Sequence, residues 1–202
     1  MARLALAEKR VAHEFVEVAS WDGYRKDPAF ADLHPFAKVP VLDHGPVRLF
    51  ETLAICSYID EAFEGPGLQP TEPLERARML QLISATLDYA WPIWEPMFAT
   101  ERFFAAFEDR LPDEDRIASA MPRLTRAAEM VDALLAARPA GAFDLSDIFL
   151  AGSFCYLAEA PEGAAVLGSN PALARWWQGM QQRASVIGIL PPTDWPQRLG
   201  TK

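Results

Sequence analysis

Residues 34–60 read HPFAKVPVLDHGPVRLFETLAICSYID. Lys38 to Phe50 alternates and breaks like two strands joined by Asp43-His44-Gly45-Pro46, so it predicts a β-hairpin. The stretch ETLAICSYIDEAF follows at once and predicts a helix. Its Ile55, Cys56, Ile59, Ala62 and Phe63 recur on one apolar face. Cys56 lies inside that stripe, which marks it as a core residue rather than a nucleophile.

Two details of this segment bear on chemistry. Pro40 opens a strand, where it has no N–H for a ladder. It stands either at an edge, with no function, or in a tight turn that uses a cis Val39-Pro40 bond. A cis bond would leave the Val39 N–H and C=O free to pair with an extended peptide ligand, as an added strand does. Glu51 and Thr52 sit between a strand and a helix, with Thr52 as the expected N-cap. A helix start offers free N–H groups and partial positive charge, which attract a carboxylate. A ligand with both an α-amino and an α-carboxyl group would use Glu51 for the ammonium and Thr52 for the carboxylate. The alternative for the pair is an ordinary cap.

Upstream, Ala2 to Arg10 is rich in good helix formers. HEFVEVAS, residues 13–20, alternates like a strand, and residues 21–36 read as a long connection. Downstream, EGPGLQPTEP at residues 64–73 is the best linker in the chain. Beyond it only helical patterns occur. Leu80, Ile83, Leu87, Trp91, Trp94 and Phe98 form one stripe, with Pro92 and Pro96 predicting a kink near Tyr89–Glu95. Ile117, Met121, Leu124, Ala128, Val131 and Leu135 form a second stripe. DLSDIFLAGSFCYLAE predicts a third helix, and Leu173, Trp176, Trp177 and Met180 mark a fourth. The expected architecture is an α/β domain over residues 1–65, the linker, and an all-α domain over 74–202.

Bulk properties narrow the class. The chain has 202 residues, half of them apolar, enough for a packed core. Its net charge of −9, without a Lys/Arg cluster, argues against nucleic acid. No apolar run reaches the ~18 residues of a membrane span, and the charged start (Arg3, Glu8, Lys9, Arg10) is unlike a signal peptide. Cys56 and Cys155 form no CxxC, and His13, His34 and His44 have no ligand spacing, so no metal is expected. A reducing cytoplasm fits this cysteine usage.

The pattern P-x-x-K-V-P-V-L, then a hairpin, then L-x-E-T-x-A-I-x-x-Y-I resembles the N-terminal domain of glutathione S-transferases, over most of residues 3–63. LQPTEPLERARMLQ resembles the start of the helical domain in bacterial-type cytosolic members. FDLSDIFLAG resembles the family's helix-capping element, with Asp144 as N-cap and Asp147 three residues on. The resemblance implies a thioredoxin-like N-terminal domain followed by an all-α helical bundle. It implies glutathione as co-substrate, its thiolate added to a small hydrophobic electrophile in detoxification, and a cytoplasmic homodimer. Val39, before Pro40, would hold the cysteinyl part of glutathione through its backbone. Lys38 would meet the glycyl carboxylate, and Glu51 with Thr52 the γ-glutamyl end. Tyr89, Trp91, Trp94, Met97 and Phe98 would wall the electrophile pocket, although the helical spacing of Trp91 and Trp94 also suits a core.

The family places its thiol-activating Tyr, Ser or Cys just after a first strand, ahead of the helix that here opens at Ala2. That strand and that residue would precede Met1, so the catalytic residue is unknown. The readings are a start codon assigned about 15–20 residues late, at ~3.3 Å per residue enough for a strand and turn, an omission of another origin, or a shortened inactive member. The alternative function is therefore a non-catalytic glutathione transferase-like binding or protein-interaction protein.

Overall fold

Tracing the chain from its first helix shows how a few side chains frame the hairpin. The computed structural model describes residues 1–16, 30, 32–105, 110–139 and 141–190, and the chain divides into two compact units between Gln69 and Pro70. In the first unit α1 (Ala2–Glu8) packs its buried Leu4, Ala5 and Leu6 against α2 (Thr52–Ala62), which buries Ile55, Cys56 and Ile59. Ala62 is exposed, so the apolar face ends one turn earlier than its sequence spacing implies.

Strands β1 (Val41–His44) and β2 (Val47–Phe50) pair antiparallel, with Val41 opposite Phe50 and His44 opposite Val47. The loop is thus only Gly45-Pro46. Gly45 supplies the φ of +56° that a two-residue hairpin turn demands. The strand expected over residues 13–20 is a correction. His13 to Val16 are exposed and carry no strand, and Phe15 lies under the Arg3 guanidinium, 4.3 Å from its ring centre. An exposed segment with no neighbouring strand among the described residues has no ladder to join. Residues 17–20 of that expectation, and 21–29 and 31 of the expected connection, lie outside the described residues.

A buried ion pair fastens α1 to the end of α2. The Lys9 ammonium donates to the Asp60 carbonyl at 2.8 Å and to its carboxylate at 3.2 Å. That carboxylate also accepts the Leu68 N–H at 2.7 Å and the Gln69 side-chain amide at 3.2 Å. Gly65 crosses directly over Lys9 with φ +130°, and a Cβ there would stand 2.9 Å from the Lys9 carbonyl oxygen. Only glycine fits that crossing without strain.

The second unit begins with α3 (Pro73–Ala85), whose N-cap Glu72 accepts the Glu75 N–H at 2.8 Å. Here the expected kink takes a specific form. Residues Thr86–Ala90 and Trp94–Phe104 are π-wound around a single α-turn, α4 (Trp91–Ile93). Pro92 and Pro96 have no N–H and crowd the carbonyl four residues back, and wider winding relieves both problems. The buried face differs from the expected stripe. Met79, Leu82, Ile83, Thr86, Ala90, Ile93, Trp94 and Phe98 are buried, whereas Leu80 and Trp91, expected in the stripe, are exposed.

Helix α5 (Glu114–Ala136) buries Ile117, Leu124, Ala128, Val131 and Leu135 as its spacing predicts, and its N-cap Asp113 accepts the Arg116 N–H at 2.9 Å. Helix α6 (Leu145–Glu159) is buried nearly all round and forms the centre of this unit. Its capping box is present: the Asp144 carboxylate accepts the Ser146 N–H and the Asp147 carboxylate accepts the Asp144 N–H, each at 2.8 Å. Arg138 clamps Asp147 through two bonds, and the Trp176 indole donates to it at 2.7 Å. Helices α7 (Pro161–Ser169), α8 (Pro171–Gln181) and α9 (Ala184–Ile187) complete the unit.

Replacing Lys9 with Met strips the ammonium from a buried carboxylate, and urea unfolding is expected to show a loss of about 3 kcal/mol. The exposed Asp43–Arg48 pair, at 2.7 Å, serves as the control. Arg48→Ala is expected to change stability by no more than about 1 kcal/mol.

Candidate functional site

The pairing of Val41 with Phe50 puts Pro40 and Glu51 at the same end of the hairpin. The Val39-Pro40 bond is cis, and Val39 is 52 % exposed. Lys38 beside it is exposed and makes no hydrogen bond to the described residues. Lys38 and Val39 therefore present exposed backbone beside an ammonium that has no partner among the described residues.

Glu51 lies across from that edge. It is the N-cap of α2, with φ +69° and ψ 118°, and its exposed side chain makes no capping bond. A non-glycine residue held in that region costs about 1–3 kcal/mol, and such strain persists where surrounding structure enforces it, often at ligand sites. This corrects the expectation for Thr52. Thr52 is the first residue of the helix rather than its cap, because the chain turns sharply at Glu51 and leaves Thr52 already helical. The first intrahelical bond runs from the Ile55 N–H to the Glu51 carbonyl at 3.0 Å. The amides of Thr52, Leu53 and Ala54 thus face outward with no acceptor among the described residues. One end of the hairpin gathers a carboxylate, an uncapped helix start, an exposed peptide edge and an ammonium. Together these match a peptide-like ligand that carries an ammonium, carboxylates and amide groups.

The residues expected to wall a second pocket are not brought together. Trp94 and Phe98 are fully buried, and Trp94 meets Phe154 edge-on with ring centres 5.4 Å apart. Their helical spacing is that of a core face, the alternative that the sequence left open for Trp94. Met97 is half-buried, with its sulfur 3.5 Å from an Arg123 guanidinium nitrogen. Tyr89 is 63 % exposed on an open groove of about 590 Å³ that also involves Asp88, Pro92, Arg123, Arg126 and Met130. Trp91 is exposed as well.

Two features went unnoticed in the sequence. His34 is buried beneath the loop that presents Val39. The Lys9–Asp60 pair holds α2 from behind. His34-Pro35 carried the available signal, since a polar residue before proline is a turn former. Both cysteines are buried, Cys56 in α2 and Cys155 in α6, and burial pushes each thiol up to about 12. Neither is a thiolate near neutral pH.

Residues 1–61 match the family model described as glutathione S-transferase, N-terminal domain. The chain is 30% identical over 195 residues to glutathione S-transferase 4 of Zea mays, covering 90% of this chain and 82% of that one. It is 27% identical over 200 residues to glutathione S-transferase F10 of Arabidopsis thaliana, covering 91% and 87%. The crystal structure of glutathione transferase F7 from Populus trichocarpa superposes with a TM-score of 0.82 at 27% identity, over 93% of this chain and 91% of that one. A thioredoxin-like unit with two strands among the described residues, followed by a helical unit, matches the architecture of the Populus structure. The chain belongs to the glutathione S-transferase family. The relatives named are plant proteins, so they do not bear on the bacterial-type kinship that the sequence suggested.

Both thiols are expected to resist a thiol reagent such as dithionitrobenzoate at pH 8 in the folded chain, and both to react in denaturant. Rapid reaction of either in the native protein would contradict the burial described.

Proposed function

We propose that this chain binds glutathione at the Val39–Thr52 end of the hairpin and adds its thiolate to a small hydrophobic electrophile. The observation that carries the reading is the convergence of Glu51, the uncapped α2 start and the exposed Val39 backbone at one hairpin end. Glu51 would pair with the α-ammonium of the γ-glutamyl group. The Thr52 N–H and hydroxyl would take its α-carboxylate, where the helix start favours negative charge. The Val39 N–H and C=O would bond the cysteinyl residue as an added strand does. Lys38 would meet the glycyl carboxylate. In the reaction the glutathione thiol gives its proton to solvent, the thiolate sulfur bonds the electrophilic carbon as that carbon's π bond to its neighbour opens, and the neighbour takes up a proton. Because Cys56 and Cys155 are buried with their thiols pushed up to about 12, the chemistry runs through the sulfur of glutathione and not through either of these cysteines.

Tyr89 and Met97, which keep exposed surface, stand as wall residues for the electrophile. A cytoplasmic homodimer without metal, nucleic acid or membrane partners fits the family and the acidic composition. No helix among the described residues is long and apolar enough to cross a membrane, and no cluster of metal-ligating side chains occurs among them.

Isothermal titration with reduced glutathione tests the assignment. Glu51→Ala removes a charge-assisted contact of about 1.5–3 kcal/mol, so affinity is expected to fall about 10- to 100-fold. Thr52→Ala keeps the backbone amide and is expected to cost less. Unchanged affinity in Glu51→Ala would sink the placement. Sedimentation should give twice the chain mass.

A further inference from the structure

His34 stands apart from the other two histidines. It is 1% exposed, whereas His13 and His44 lie on the surface. A buried imidazole must commit its nitrogens to partners. Nδ1 of His34 accepts the Phe36 N–H at 3.1 Å, which places the proton of the neutral ring on Nε2. The His34 carbonyl accepts the Ala37 N–H at 2.9 Å, and the His34 N–H donates to the Phe30 carbonyl at 3.1 Å. Ring to residue i+2 and carbonyl to residue i+3 together define a turn over His34–Ala37, with Pro35 at its second position. Ala37 leaves the turn with φ +47° and leads directly into Lys38, Val39 and Pro40.

The same ring reaches the other limb of the site. It packs on Phe50 with ring centres 4.8 Å apart and a tilt of 46°. Phe50 is the last residue of β2, pairs with Val41 and immediately precedes Glu51. One buried side chain therefore touches both the loop that presents the Val39 backbone and the strand end that presents Glu51.

We infer that His34 is a positioning residue of the glutathione site: it contacts no ligand, and it sets the spacing between the Val39 edge and the Glu51–Thr52 corner. This inference rests on the glutathione assignment above. The function asked of the ring is a short-reach acceptor for the Phe36 N–H. Asparagine supplies an oxygen at a similar distance from its Cα, glutamine carries its oxygen one methylene further out, and leucine supplies none.

The test is titration of reduced glutathione into the unaltered chain and His34→Asn, His34→Leu and His34→Gln, with folding of each followed by circular dichroism and thermal unfolding. Losing the acceptor strands a buried N–H, and a disturbance of about 1.4 kcal/mol at the site is tenfold in affinity. His34→Leu and His34→Gln are expected to bind about tenfold more weakly, and His34→Asn to stay within about threefold of the unaltered chain. If His34→Leu does not fold, the His34→Asn and His34→Gln pair decides. Equal binding by those two, or unweakened binding by a folded His34→Leu, overturns the role of His34 while leaving the glutathione assignment intact. Absence of binding by the unaltered chain overturns both.

Discussion

The pairing of Val41 with Phe50 is the constraint on which the site depends. An antiparallel register admits no half-steps, and a slip of one residue would turn every side chain of the hairpin to the other face. With this register, Pro40 and Glu51 come off the same end, and the two halves of the proposed glutathione site meet. Supports on either side hold that end in place. His34 lies under the loop and against Phe50. The Lys9–Asp60 pair, closed over by Gly65, anchors the far end of α2.

Glu51 shows the cost of this arrangement. Its backbone is held in a region that glycine tolerates better, its side chain does not cap the helix, and the first amides of α2 stay open. An Asp or Ser cap would satisfy one of those amides, with a gain of about 1 kcal/mol. The helix start instead keeps its partial charge available for a carboxylate from outside. The second unit treats a helix start in the opposite way. At α6, Asp144, Asp147, Arg138 and Trp176 use the available donors and acceptors among themselves. One helix start is saturated to build a core, and the other is left open to bind.

Much of the site was legible in residues 34–60, because each element there has a local cause. Turn residues mark the hairpin, a proline marks the strand entry, and apolar spacing marks the helix. Glu51 and Thr52 stood out as a pair for the same reason, although which of them caps the helix depends on how sharply the chain turns. His34 was not legible as a site residue, since nothing in its neighbours announces that Phe50 lies across from it. The stripe through Leu80 and Trp91 failed for another reason. Leu80 lies one residue off the face that Met79, Leu82 and Ile83 bury in regular α-helix, and Trp91 lies where the winding changes between π and α beside the two prolines.

The sequence by itself determined the hairpin, the helix that opens at Glu51–Thr52, the capping box at Asp144 and the core character of Cys56. These rest on interactions among residues a few positions apart, whose geometry the backbone largely dictates. Tertiary structure alone decided that Lys9 is buried on Asp60 and that the His34 ring lies against Phe50. Those outcomes depend on which distant surface a side chain meets, and burial and partnership across tens of residues leave no periodic mark in the chain.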